Sequence, residues 1–591
     1  MLTHDLSMDL QVIAETWLDT FARATLSGDV LATVQTFLPD GYLRDQLVLT
    51  WDLRSLEGHD KITEYLVPRL TAAHLSHFRP DTRAGYCAER STKGGVGAAF
   101  TFETPHCYGR GYVRLLQDTS SGQWKALSVF LGVADIKGYE ELGREPGHYG
   151  GHTLSWTDIF AERRRQAERD PYVIVMGAGQ CGLTIAARLK QWNIPTLVVE
   201  KKAQVGNQWR ERYPTLSLHG TSNVCHFAYQ QFPDKWPEYT PRDKIADWLQ
   251  QYVISQDLLV WTSSTIVPGA RYDPEVGRWT LTVDHAGTPV ELHPAHVICA
   301  VGSTGPPRTP DILERTRFAG KTMHSSAYPG GAAFAGKHAV VIGACQSAAD
   351  ICQDLAFCGA ASVTMVQRSS TCVVSIKTAT RYERTLFPEG VSLDACDLKY
   401  QSLPVNLNRK LALERADTLL DDEKELHAKL RKGGLRLNMG KDGSGHFFLI
   451  FERLGGNIGY WWDVGLADYI ESGRVKVKQG VEVKQYVQDG VICTDGSFLR
   501  ADVVIFASGW LDSRESLKDI FSTETVEATK APWGLDEEGE LCGCYRPTGH
   551  PGLWYAVGDL LTTRVYSRSL ALQIKAKQVG IASPEHVRSR F

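Results

Sequence analysis

The chain has 591 residues, 43% hydrophobic and 22% charged, with a formal net charge of −4. That length is too great for one hydrophobic core and asks for two to four domains, while the small charge excludes a nucleic-acid or acidic-membrane binder drawn by a global field. No run of about 18 apolar residues offers a membrane span.

Thirteen cysteines are scattered without a CxxC, Cys542 and Cys544 forming the only close pair. Such spacing fits free thiols in a reducing compartment, not a disulfide framework or a metal site. The start, "MLTHDLSMDLQ", lacks a basic segment followed by an apolar core, so no secretory leader is expected. The ending "SRF" is a poor relative of a peroxisomal tail, and a cytoplasmic location is expected.

In chain order, residues 1–142 read as an α+β domain. Ile13, Trp17 and Phe21 recur every fourth residue on an opening helix. "GRGYVRLLQD" and "QWKALSVFLGV", joined by "TSSGQ", predict a β-hairpin. Residues 143–171 read as a linker, rich in Gly, Pro and His and then in charge, with "AERRRQAERD" a solvated helix. From Tyr172 the pattern becomes β-α-β: "YVIVM", "LTIAARLKQW", "TLVVE". This predicts a parallel sheet. A second such unit starts at "HAVVIGACQSAADICQDLAFCGAASVTMVQ", a polar helix-rich stretch follows between about 390 and 460, and strands return at "ADVVIFASGW" and "GLWYAVGD" before a closing helix, "SLALQIKAKQVG".

"VIVMGAGQCG" places Gly177, Gly179 and Gly182 in GxGxxG spacing, after a strand and at the start of a helix. The first glycine allows the tight turn, the second lets backbone approach a pyrophosphate, and the third lets helix and strand touch. The helix start favours phosphate charge. Glu200 closes the next strand 23 residues after Gly177. A carboxylate there accepts both hydroxyls of an adenosine ribose and repels a 2′-phosphate, so this turn suits FAD or NAD.

"GACQSA" repeats the spacing with Gly343, Cys345 and Ala348. Cys345 puts a β-carbon on the phosphate path, and Gln346 and Ser347 are candidate phosphate donors. Arg368, with Ser369 beside it, stands 25 residues after Gly343, where the first unit has its acid. A cation at a strand end pairs with a 2′-phosphate. The alternative is a solvated strand-end residue.

Between the turns, "FAGKTMHSSAYP" carries Phe318, Gly320, His324, Tyr328 and Pro329 in the spacing FxGxxxHxxxY/W. It resembles the fingerprint of class B flavoprotein monooxygenases, which include flavin-containing, YUCCA and Baeyer–Villiger enzymes. "VGNQWRERYPTLSLHG", "HVICAVGSTGPPRTP", "DVVIFASGW" and "YSRSLALQIKAK" resemble further family segments, over about 172–580. The resemblance implies two Rossmann-like domains: an FAD domain in two parts, 172–333 and 496–591, around an NADP domain at 334–495. Gln208, Trp209, Gly558 and Asp559 then join the flavin-binding set. NADPH would reduce the flavin, molecular oxygen would give a C4a-(hydro)peroxyflavin, and one oxygen would pass to a small organic substrate. N- or S-oxygenation or YUCCA-like oxidation leads, with Baeyer–Villiger oxidation of a ketone as the alternative.

The family's flavin-side Asn in a TN/SN-x-x-K pattern is absent. "LSLHGTSN" instead resembles a YUCCA-like run and makes His219 a candidate at the flavin edge; a structural histidine is the alternative. His324 is the other candidate, expected to link the two domains. Tyr460 and Trp461, in "GGNIGYWWDVG", are candidate substrate walls or core. The N-terminal "WDLRSLEGHDKITEYL" resembles a cone-shaped SnoaL-like domain, which can hold a small ligand or make a homodimer; His59 and Asp60 would line it or form a turn. Two rival classes stand beside the monooxygenase: a flavin disulfide reductase, which needs a redox cysteine pair, and a non-catalytic nucleotide-binding protein.

Overall fold

A computed structural model describes residues 2–440, 442–445, 449, 451 and 459–582. The N-terminal unit opens on α1 (Leu2–Leu26). Trp17 and Phe21 are buried on it and stack 4.9 Å apart, as their four-residue spacing predicts. They lie on a sheet of β1 (Phe37–Gln46), β2 (Leu53–Glu57), β3 (Ser76–Pro80), β4 (Val96–Glu103), β5 (Cys107–Gln117) and β6 (Trp124–Ile136), ordered β2-β1-β6-β5-β4-β3. The expected hairpin is β5–β6, running from Cys107↔Ile136 to Gln117↔Trp124. A connecting stretch leads to α2 (Trp156–Arg169), capped by Ser155 Oγ accepting the Asp158 N–H.

Two parallel five-stranded sheets follow. The first is built from β7 (Val173–Met176), β8 (Thr196–Val199), β9 (Val260–Trp261), β10 (His296–Cys299) and β17 (Leu553–Tyr555), ordered β9-β8-β7-β10-β17. The second uses β11 (Lys321–His324), β12 (His338–Ile342), β13 (Ser362–Gln367), β15 (Val475–Gln479) and β16 (Val503–Phe506), ordered β11-β16-β12-β13-β15. Each turn helix, α3 (Gln180–Gln191) and α4 (Gln346–Phe357), leaves the strand where the order reverses direction, the usual ligand crevice of a doubly wound sheet.

The expected boundaries need correction here. The expected first domain includes residues 321–324 and 503–506, yet both lie in the second sheet. Apolar runs announce strands but not their neighbours, and the side of β12 away from β13 needs a strand to satisfy its backbone. The stretch between β13 and β15 supplies α5 (Ile376–Leu386), α6 (Leu393–Gln401), further short helices and β14 (Gly459–Asp463). The chain closes on α7 (Leu560–Gln578); the "SRF" ending and residues 455–458 lie outside the described residues.

The N-terminal unit is welded to the rest. Ala99, Tyr112 and Phe130 cluster with Ala395 and Leu398 of α6. Arg44, 1% exposed, makes two hydrogen bonds to Glu540, at 2.8 and 2.7 Å, and also donates to the carbonyls of Gln401 and Leu403 and to the Tyr566 hydroxyl.

Candidate functional site

The first turn is shaped by contacts that only glycine permits. Gly177 has φ +101°, and a β-carbon there would lie 2.7 Å from the Ala300 carbonyl oxygen; one on Gly182 would lie 1.9 Å from that of Gly177. Gly179 differs: only Gln208 Nε2 comes within 3.5 Å of its would-be β-carbon, so this backbone faces open space. The buried Glu200 carboxylate accepts the N–H of Ala178 at 2.7 Å and of Lys202 at 2.8 Å, which fixes it at the tip of β8 beside the turn. Gly558 follows β17, and its carbonyl meets the Cys181 thiol at 3.4 Å. Asp559 caps α7 by accepting the Thr562 N–H at 2.7 Å. The N-termini of α3 and α7 thus converge, and two helix dipoles point at one place.

The second turn repeats the first. Gly343 has φ +128°, with a would-be β-carbon 2.2 Å from the Ala507 carbonyl oxygen. Cys345 turns its sulfur to β14, where a β-carbon on Gly459 would sit 1.8 Å from it. Gln346, expected on phosphate, has both ends of its carboxamide engaged within the protein. Its oxygen accepts the Trp462 N–H at 3.0 Å and its nitrogen donates to Asp350 at 2.9 Å, because β14 needs an anchor on α4. Ser347 sits half-buried in the first turn of α4. Arg368 lies just past β13, half-exposed, 3.2 Å from Glu482, with Ser369 exposed beside it. Its charge reaches the Cys345 thiol, which burial otherwise pushes up.

The two units meet across a cleft. His219 sits on the first unit's loop, 4.0 Å from Asp350 of α4; burial lowers its basicity and Asp350 opposes that. Asp350 also accepts from the Tyr213 hydroxyl at 2.5 Å. Of the aromatic pair on β14, Trp461 is wholly buried in the second unit's core and cannot line a substrate pocket; alternation along the strand sends it inward. Tyr460 is half-buried, and burial raises its phenol, with Asp559 and Cys345 adding to the effect. It follows Gly459, which packs against Cys345 of the second turn.

His324 has a structural task. Its Nδ1 accepts the Ser326 N–H at 3.2 Å and its Nε2 donates to the Gly509 carbonyl at 3.0 Å. Both ring nitrogens are used in holding the crossover segment. The rest of the fingerprint is equally architectural: Tyr328 donates to Asp354 at 2.9 Å, and a β-carbon on Gly320 would lie 2.4 Å from the Asp502 carbonyl oxygen.

Sequence reasoning missed Glu383. It reaches from α5 into the cleft and accepts the Thr221 N–H at 2.8 Å, next to His219. Burial pushes its carboxyl up to about 7 against the hydrogen bonds from Thr221, with repulsion from Asp559 and Glu238 adding to the rise. No motif marks it, because it comes from the helical insertion.

Residues 174–388 match the family model for pyridine nucleotide-disulphide oxidoreductases. The chain is 29% identical over 367 residues to the indole-3-pyruvate monooxygenase YUCCA1 of Oryza sativa subsp. japonica, spanning 61% of this chain and 83% of that protein. It is 27% identical over 377 residues to a probable indole-3-pyruvate monooxygenase, YUCCA3, of Arabidopsis thaliana, spanning 62% and 80%. An open crystal structure of cyclohexanone monooxygenase shares the fold at a TM-score of 0.50 and 17% identity, over 71% of this chain and 91% of that one.

Two glycine turns at the switch points of two parallel sheets define a two-dinucleotide fold. Over the two-sheet body the chain is similar in sequence to flavin monooxygenases. The residues present fit a flavin nucleotide. The open backbone at Gly179 leaves a cradle that a side chain would fill, and among the described residues Gln208 Oε1 and Trp209 Nε1 are buried without a hydrogen-bond partner beside it.

Proposed function

We infer that the chain is an NADPH- and oxygen-dependent monooxygenase acting on a small organic substrate, with FAD on the first turn and NADPH on the second. The observation that carries this is the matched pair of turns whose following strands end in opposite charges, Glu200 and Arg368. YUCCA-like oxidation of a 2-oxo acid is the favoured reaction, since indole-3-pyruvate monooxygenases are among the relatives similar in sequence.

In this reading Gly179, Glu200, Gln208, Trp209, Gly558 and Asp559 hold FAD, with ribose on the Glu200 carboxylate and phosphates at the converging helix starts. Gly343, Ser347, Arg368 and Ser369 hold NADPH, Arg368 taking the 2′-phosphate. The flavin supplies hydride acceptance and oxygen activation when bound. The protein's own task is to orient substrate, keep water out and place a proton. Tyr460 and His219 border the reacting space, and Glu383 holds or releases a proton at its carboxyl oxygen near neutral pH. The N-terminal unit serves as a SnoaL-like scaffold, its sheet covered by its own helices on one face and by the insertion on the other.

The test is a product screen under NADPH and oxygen with one amine, one sulfide, one ketone and one aryl 2-oxo acid. Conversion of the oxo acid supports the favoured reaction. Lactone from the ketone would favour Baeyer–Villiger chemistry. Purified protein without flavin colour, or turnover needing a disulfide, would overturn the monooxygenase reading.

A further inference from the structure

A cavity of about 340 Å³ lies at the seam between the N-terminal unit and the two-sheet body. One wall comes from β4 and β5; the others include Asp394 and Leu398 of α6 and Arg568 of α7. It stands apart from the cofactor cleft, since Arg568 is nine residues beyond Asp559, about 13 Å along a helix. Its volume is that of a small-molecule site. By contrast, the space between the sheet and its own helices, among Phe21, Phe37 and Leu66, is filled to a void of about 10 Å³.

The cavity is partly apolar, through Phe102, Tyr108 and Leu398, and its charges do not cancel. Four guanidiniums face three carboxylates there. Each carboxylate already has its own cation: Asp81 has Arg83 at 2.6 Å, Glu103 has Lys137 at 2.7 Å, and Asp394 has Arg110 at 3.1 Å. Of the two guanidiniums there that are not mainly exposed, Arg110 and Arg568, Arg568 is the less answered. Its Nε and Nη2 both donate to one carbonyl, that of Ala134, and the Glu141 carboxylate 3.7 Å away is shared with Arg188. Burial works hardest against its charge, Glu141 supports it, and the guanidiniums of Arg110 and Arg188 oppose it again. Two like charges from different units, held at one partly apolar cavity, are stabilised by an anion that takes hydrogen bonds from both.

We propose that the seam cavity binds a small organic carboxylate, with the carboxylate between Arg110 and Arg568 and the apolar body against Phe102, Tyr108 and Leu398. Its occupant bears on α6, whose Asp397 pairs with Arg564 at 2.8 Å and whose Tyr400 feels the charge of Asp559. The site therefore adjoins a helix that also borders the cofactor cleft.

Calorimetric titration of the full-length, flavin-loaded protein tests this without turnover, using phenylacetate, its neutral isostere phenylacetamide, and inorganic phosphate. Saturable phenylacetate binding is expected, weakened about tenfold or more in Arg568→Gln, and likewise when the amide replaces the acid. Thr101→Trp, which fills the cavity while removing no member of an ion pair, should also abolish it. No saturable binding, equal binding of amide or phosphate, or binding unchanged in both variants would overturn the proposal. Should either variant fail to fold, a photoreactive phenylacetate on the unaltered protein decides. Labelling within 101–110, at 394–398 or at 568 supports the site, and labelling elsewhere, the cofactor cleft included, overturns it.

Discussion

Gly179 and Gly182 stand three residues apart in one motif and should fail in different ways. A valine side chain at 179 meets open space, so Gly179→Val should fold with a near-normal melting temperature yet retain no FAD, read from the flavin absorbance of the purified protein. Gly182→Val drives atoms into the Gly177 carbonyl, 1.9 Å from the first of them, and should not fold. Full flavin occupancy in Gly179→Val would remove this turn from the FAD site. Glu383 gives a second test. Its carboxyl is raised from 4.5 to about 7, so the folded state binds its proton more tightly than the unfolded state does. The stability this confers is complete below about pH 4.5 and is lost as pH rises through about 7. Glu383→Gln keeps an acceptor for the Thr221 N–H and should flatten that slope; a wild-type and a variant curve that run parallel from pH 4.5 to 8 would deny the raised value.

Among the elements, β11 and β16 explain why the fingerprint has its spacing. Phe318 is buried against Tyr486, Gly320 lets β11 close on Asp502, and His324 ends the strand on Gly509. Gly320→Ala should therefore cost about 1–3 kcal/mol by overpacking, seen as a lower denaturation midpoint; an unchanged midpoint would mean that β11 yields freely. The two turns, their strands and the tip residues Glu200 and Arg368 were legible because periodicity and glycine spacing record local geometry. Strand order was not, since β16 joins β12 across some 160 residues of sequence. Gln346 misled for a related reason. It is committed to a partner on another element, α4 to β14, which no local pattern records. Glu383 was invisible because its role arises only when α5 folds back over Thr221.

For the whole molecule, the N-terminal unit is structurally inseparable from the two-sheet body. Arg44 and Glu540 are 1% and 0% exposed. Arg546 adds a bidentate pair to Asp52, and Ser55 donates to Glu540 at 2.7 Å. Removing one member leaves a buried charge unanswered, so Arg44→Met should cost about 3–5 kcal/mol, measured by chemical denaturation. A loss within the range of surface pairs would mean that water reaches Glu540. Restoring much of that stability in the double variant Arg44→Met/Glu540→Leu would confirm that the cost is the unpaired charge.

The central claim is that one chain sorts two adenine nucleotides by opposite charges at equivalent strand tips. Equilibrium titration of FAD-loaded wild type and Arg368→Ala with NADP⁺ and with NAD⁺, followed by flavin fluorescence, tests it most directly. The account predicts NADP⁺ weakened about 10- to 140-fold, the loss of one charge-assisted pair, with NAD⁺ nearly unchanged. Equal weakening of both nucleotides, or no change in either, would contradict it.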